Sequence, residues 1–286
     1  MTTKGEVTVP TLRRLGLIVP SSNTTMETEI PRMLSRATVD AEFTFHSSRA
    51  QLQEVDAGSL ERMVKDSDRC ARELSDAPVD SLAYACLVAV MARGPGAHEE
   101  IEHHLAEVAR DNGRAVPVTS SAGALVRTLH GVGAERVAII TPYVPALTEM
   151  VIDYLRGYGI EVVGSVSLSV QNNVEVGSLD PARLAGHAEK LDLSAADALV
   201  ASACVQMPSL PAIDRLEERF KLPVVTAATA TTAEMLDALG LPRHVPGAGA
   251  LLRETDGAQP VRHGDAPFEQ PPPVPPGSTA PVPPSY

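Results

Sequence analysis

Two cysteines sit in matching surroundings. Residues 79–91 read VDSLAYACLVAVM and residues 196–208 read ADALVASACVQMP, each an aspartate, a short apolar run and then a thiol, Cys86 in one and Cys204 in the other. A pair placed this way can supply a nucleophile, an acid/base group, or one of each. A thiol of ordinary pKa, near 8.5, leaves only a few per cent thiolate at neutral pH. Lowering that pKa by about two units takes about 2.7 kcal/mol of preferential stabilisation of the anion. No Lys, Arg or His adjoins either cysteine, and Arg93 is the nearest. Backbone N–H groups and helix dipoles at strand-to-helix turns are therefore the expected stabilisers. The third cysteine, Cys70, shares a helical face with Leu60, Met63, Val64, Ala71 and Leu74 and reads as core.

The turn PSSNTTMETE (20–29) carries a second signal. Thr24 with Glu27 has the spacing of a capping box, but five consecutive polar residues, Ser21 to Thr25, exceed what one cap requires. With exposed amides they form a cradle for a carboxylate. QNNVEVG (171–177) adds two side-chain amides in an expected loop, and Tyr143 stands at the corresponding turn of the second half. Two thiols, neutral donors and no metal ligands suit a small dicarboxylate. Other motifs carry less. In HEEIEHH (98–104), His98 and His103 diverge by about 140° on a helix, so the segment reads as a solvated face rather than a metal site. GAGALL (247–252) lacks the third glycine of a dinucleotide loop, and His46 reads as a satisfied core or cleft-edge group.

The elements that must position these groups alternate between two periods. RLGLIVP, AEFTFHSS, DSLAYAC and AVPVTS are short apolar or β-branched runs separated by helical patterns, and RVAIITP, EVVGSVSLS, ADALVASAC and LPVVTAA repeat the scheme. Continuous apolar strands between amphipathic helices predict parallel sheets covered on both faces. The halves also align pairwise, GLIVPSSN with VAIITPYV and PVTSSAGALVRTL with PVVTAATATTAEML. The expected fold is α/β: two pseudo-symmetric lobes, each a mostly four-stranded parallel sheet flanked by helices, with the site in the cleft between them. The first lobe is expected at 1–118, completed by about 227–252, and the second at 119–226. Ligands of such sheets bind beyond the carboxyl ends of the strands, where both cysteines fall. Ten of the 24 prolines lie after residue 252, so 253–286 reads as a proline-rich disordered tail.

Composition narrows the function. Aromatics are 3% with no Trp, and the formal net charge is -12, which argues against a nucleic-acid partner. No signal peptide or membrane-spanning run is evident, and three cysteines outside any CxxC arrangement point to a reducing cytoplasm.

IVPSSNTTMETEIP, FTFHSSR, YACLVA, TPY, QNNVEVG, SACVQMPSL and VPGAG together resemble the maleate cis-trans isomerases of the aspartate/glutamate racemase superfamily, from about residue 12 to 252. The resemblance implies that Cys86 is the nucleophile and Cys204 its acid/base partner. It implies that Asn23, Tyr143 and Asn173 bind substrate, with Leu87 and Val88 beside one cysteine and Val205 and Gln206 beside the other. It further implies a homodimer needing no cofactor, converting maleate to fumarate in bacterial catabolism, often of nicotinate. FTFHSSR continues as AQLQ, where the family's run differs, so the resemblance assigns Arg49 no role. Two rivals stay open at this point. An amino-acid racemase or a related decarboxylase of the superfamily is one, although Leu87-Val88 and Val205-Gln206 replace the polar pairs typical of racemases. A non-enzymatic dicarboxylate binder is the other.

Overall fold

The run TLRRLGLIVP forms the first strand, and its last six residues are buried, as a strand covered on both faces requires. In a computed structural model, residues 10–253 apart from 53 and 55 are described, and the proline-rich segment lies outside them. The chain runs β1 (Thr11–Pro20), α1 (Met26–Leu34), β2 (Ala41–Ala50), α2 (Ala57–Ser75), β3 (Ser81–Tyr84), α3 (Leu87–Met91), α4 (Ala97–Asp111) and β4 (Val118–Ser120). It continues through α5 (Ser121–Gly131), β5 (Arg136–Thr141), α6 (Pro145–Gly157), β6 (Glu161–Ser167), α7 (Asn173–Val176) and α8 (Leu184–Ala188). It ends with β7 (Ala198–Ser202), α9 (Ile213–Phe220), β8 (Val224–Thr226) and α10 (Ala227–Ala238).

Two four-stranded sheets result, ordered β2-β1-β3-β4 and β6-β5-β7-β8, and every pairing is parallel. The second order repeats the first, as the internal alignment predicts. In each sheet the chain steps from its first strand to one side, then crosses to the other. The switch points therefore lie between β1 and β3 and between β5 and β7, where an open α/β sheet leaves a crevice for ligand. The turns that leave these four strands carry Asn23, Cys86, Tyr143 and Cys204.

Packing sets where those turns lie. Leu15, Leu17, Ile18 and Val19 of β1 are fully buried, as are Val137, Ile139 and Ile140 of β5. Gly16 lets β1 and β3 close up, because a Cβ there would stand 2.5 Å from Leu82 Cδ2. On α2, Leu60, Met63, Cys70, Ala71 and Leu74 are buried, so Cys70 is a core residue.

Five expectations are corrected in detail. The thiols do not end strands: β3 stops at Tyr84 and β7 at Ser202, two residues before each cysteine. No Thr24–Glu27 capping box forms; Asn23 Oδ1 instead accepts from Met26 N (3.1 Å), and Glu27 turns to Arg49. The QNN segment is partly helical, with Asn172 capping α7 through Val174 N (2.9 Å). His98 is buried rather than solvated, bonded through Nδ1 to the Tyr154 hydroxyl (2.7 Å), whereas His46 is exposed on β2 and meets Thr44 Oγ1 (3.1 Å).

Candidate active site

Cys86 lies two residues past the end of β3 and stands at the N-cap of α3 with extended φ of -166°. That geometry turns the N–H of Ala89 toward the thiol sulfur, which favours the thiolate. Burial acts the other way and wins: the Cys86 thiol is pushed up to about 12, with the neighbouring Cys204 adding to the rise. The stabilising amide expected from the sequence is therefore present but outweighed by desolvation. Cys204 is likewise raised by burial, against bonds from the Tyr143 hydroxyl and the N–H groups of Gln206 and Met207. Both thiols are neutral at pH 7, and they feel one another electrostatically.

Around them closes a cavity of about 20 Å³ lined by Pro20, Asn23, Leu52, Cys86, Leu87, Val88, Tyr143, Asn173, Cys204, Val205 and Gln206. Every residue expected at the site from the sequence reaches this one space. Pro20 and Leu52 are additions. Leu52 lies just past the end of β2, and its position after a strand beside the first switch point is the signal that could have found it. The space fits about one water, so a dicarboxylate must part the walls to enter.

Hydrogen bonds fix which groups can meet a ligand. Asn23 is 1% exposed, and its Nδ2, with no partner among the described residues, is a buried donor left over at the cavity wall. Such an orphan is costly unless a ligand satisfies it. The Tyr143 hydroxyl makes only a long contact to Ala203 O (3.4 Å) besides Cys204, and burial beside Cys204 holds its pKa well above the ordinary value. Asn173 differs, since its Nδ2 is already given to Ser22 Oγ (2.6 Å). Gln206 is more fully engaged: Oε1 accepts from Thr24 N (3.2 Å), while Nε2 donates to Ser22 O (2.9 Å) and Asn173 O (3.0 Å). Its side chain ties the Cys204 turn to the Asn23 turn, and its main-chain N–H is turned to the Cys204 sulfur.

Two charged residues that the sequence did not single out hold these turns from outside. Glu29 on α1, 4% exposed, accepts from Ser209 N and Leu210 N (2.7 Å each) and from Ser209 Oγ (3.1 Å), anchoring the segment after Cys204. Arg49 of β2 donates to the carbonyls of Ser21 and Asn23. No group of three or more His, Cys, Asp or Glu able to hold a metal occurs among the described residues.

Two neutral thiols facing a small, donor-lined space at paired switch points define an α/β enzyme of the arylmalonate decarboxylase family, whose pattern residues 15–252 match. Within that class the relation is closer still. The maleate isomerase of Geobacillus stearothermophilus is 53% identical over 84% of this chain and 96% of that protein. A structure of the Pseudomonas putida S16 maleate isomerase, a cysteine-to-alanine mutant with maleate, is 49% identical and covers 85% of this chain and 98% of that one, with a TM-score of 0.83. The Nocardia farcinica maleate cis-trans isomerase, a cysteine-to-serine mutant holding a covalent succinylcysteine intermediate, is 47% identical with the same coverage and TM-score. The chain belongs to the maleate isomerase family.

Proposed function

We propose that the chain converts maleate to fumarate without a cofactor, with Cys86 as nucleophile and Cys204 as its proton partner. The observation that carries the reading is the cavity in which both thiols, the unpaired Asn23 amide and the Tyr143 hydroxyl converge. The succinylcysteine held by the Nocardia relative supports the same chemistry.

A carbon–carbon double bond does not rotate, so the enzyme must make it single for a moment. The Cys86 sulfur adds to one alkene carbon, and the π electrons move toward the far carboxylate as an enediolate. Asn23 Nδ2, the Tyr143 hydroxyl and main-chain N–H groups after each cysteine hold that charge, as an oxyanion hole does. Cys204 gives its proton to the second carbon, and the proton lost by Cys86 replaces it. The net change is addition of S–H across the alkene, so no external acid or base is consumed. After rotation about the new single bond, Cys204 takes a proton back, the C–S bond breaks, and fumarate leaves with both thiols restored.

Among the described residues no cationic side chain lines the cavity, so neutral donors are assigned to hold the substrate. The preference is then set by hydrogen-bond geometry, while Leu52, Leu87, Val88 and Val205 fit the apolar CH=CH edge. Homodimerisation, a cytoplasmic setting and a place in nicotinate catabolism belong to the same reading; among the described residues no helix is long and apolar enough to cross a membrane. Proton NMR of the purified protein with maleate and no added cofactor tests it. The maleate singlet should give way to that of fumarate; a folded protein that leaves maleate unchanged refutes the assignment. Asn23→Ala and Tyr143→Phe should each lose about 2.7–4 kcal/mol of transition-state stabilisation.

A further inference from the structure

We propose that Arg49 is a positioning residue for the reaction, holding the Asn23 turn so that the unpaired Asn23 amide points at substrate. The proposal rests on the reading of Asn23 as a carboxylate donor.

Parallel register places Arg49 opposite Val19, one residue before the end of β1. Its side chain therefore reaches the turn that begins there. Nη1 donates to Ser21 O (2.8 Å) and to Asn23 O (3.1 Å), and Nη2 donates to Asn23 O as well (3.1 Å). The same Nη2 pairs with Glu27, in the first turn of α1. One planar fork thus fastens two carbonyls on one side and a helix carboxylate on the other, a geometry a lysine ammonium does not reproduce.

The consequence falls on Asn23. Its Oδ1 is fixed by Met26 N at the start of α1, and its own carbonyl is fixed by Arg49. With both ends held, Nδ2 has one direction left, and it is a buried atom without a partner among the described residues. Arg49 does not line the cavity. It acts through Asn23. As an ion pair it does little for the fold, because the Arg49 and Glu27 side chains keep 37% and 27% of their exposure. A role in aiming is thereby separable from a role in stability.

A double-mutant cycle reads the difference, using turnover of maleate by Asn23→Ala, Arg49→Ala, Arg49→Lys and the Asn23→Ala/Arg49→Ala pair. Arg49→Ala should lower kcat/KM by about ten- to hundredfold, the scale of loss from a donor misplaced by about an ångström. In the Asn23→Ala background the same change should cost less than about twofold, since no amide remains to aim. Arg49→Lys, which keeps the charge, should lose nearly as much as Arg49→Ala. Melting temperatures should stay within a few degrees of the parent, and alkylation of Cys86 by iodoacetamide should proceed at the parental rate. Equal losses in both backgrounds, or parental activity in Arg49→Lys, overturn the proposal while leaving Asn23 in place. If Asn23→Ala itself turns over like the parent, the donor assignment fails, and the proposal falls with it.

Discussion

A buried thiol is a poor nucleophile until it loses its proton, and at rest Cys86 keeps its proton. Desolvation, stronger than the Ala89 N–H, pushes it up to about 12. Because the thiolate is the reactive form, the rate of alkylation follows its fraction, which grows tenfold per pH unit below the pKa. Iodoacetamide labelling of Cys86 in the substrate-free protein should therefore rise steadily from pH 7 to about 11, as read by peptide mass spectrometry. A plateau below pH 9 would show a resting thiolate instead. On the proposed mechanism, ionisation then belongs to the addition step, with the proton passing to the partner thiol. Water has little place in that transfer, given a cavity of about 20 Å³. Cys70 is a useful control. It is also buried and raised, yet it lies in the core of α2 away from the cavity, and Cys70→Ala should cost packing stability and no activity.

At the scale of elements, the site is four turns leaving four strands, fastened to one another by side chains. Gln206 is the central fastener, and Gly177 makes room for it: a Cβ there would stand 2.8 Å from Gln206 Nε2. Its φ of -67° is open to any residue, so Gly177→Ala tests space alone. That variant should push the amide off Ser22 O and Asn173 O and lower kcat/KM by about tenfold with a melting point only a few degrees down; parental kinetics would show that the tie is dispensable. The strands, their parallel character and the paired thiols were legible in the sequence because a doubly covered parallel strand leaves an unbroken apolar run, and because the chain states its pattern twice. The fastening was not, although Gln206 itself was expected at the site. Glu29, Arg49 and Gln206 act across long separations in sequence, and nothing local distinguishes a glutamate that bonds Ser209 and Leu210 from one that faces water. The capping-box spacing misled for a related reason. Tertiary demand drew Glu27 to Arg49 and left the cap to Asn23. His98 looked solvated because its neighbours Glu99 and Glu100 are exposed, while Tyr154 of α6 covers it.

Over the whole molecule, helices that cover the two sheets meet through groups whose charge state matters. His98 of α4 packs on Tyr154 and Tyr158 of the second half, and Arg127 of α5 pairs with Glu102 and with Glu234 of α10. Burial, with Arg127 adding, lowers His98 to about 3, so the folded state holds it neutral although Glu99 Oε1 lies 3.2 Å from Nε2. A depressed pKa means that the unfolded chain takes up the proton first as pH falls. The stability His98 contributes is thus complete above about pH 6.5 and is lost between there and pH 3. Thermal melts should show His98→Gln, which can still accept from Tyr154, losing less of its midpoint over that window than the parent does; identical acid limbs would remove His98 from the account. The deeper claim is that both halves act on one substrate, Cys86 from the first forming the carbon–sulfur bond and Cys204 from the second handling the proton. Mass spectrometry of acid-quenched Cys204→Ala with maleate tests it most directly. The account predicts one added maleate mass on the peptide containing Cys86, and none in Cys86→Ser. The same mass on Cys204 of the parent, with Cys86 unmodified, would contradict it.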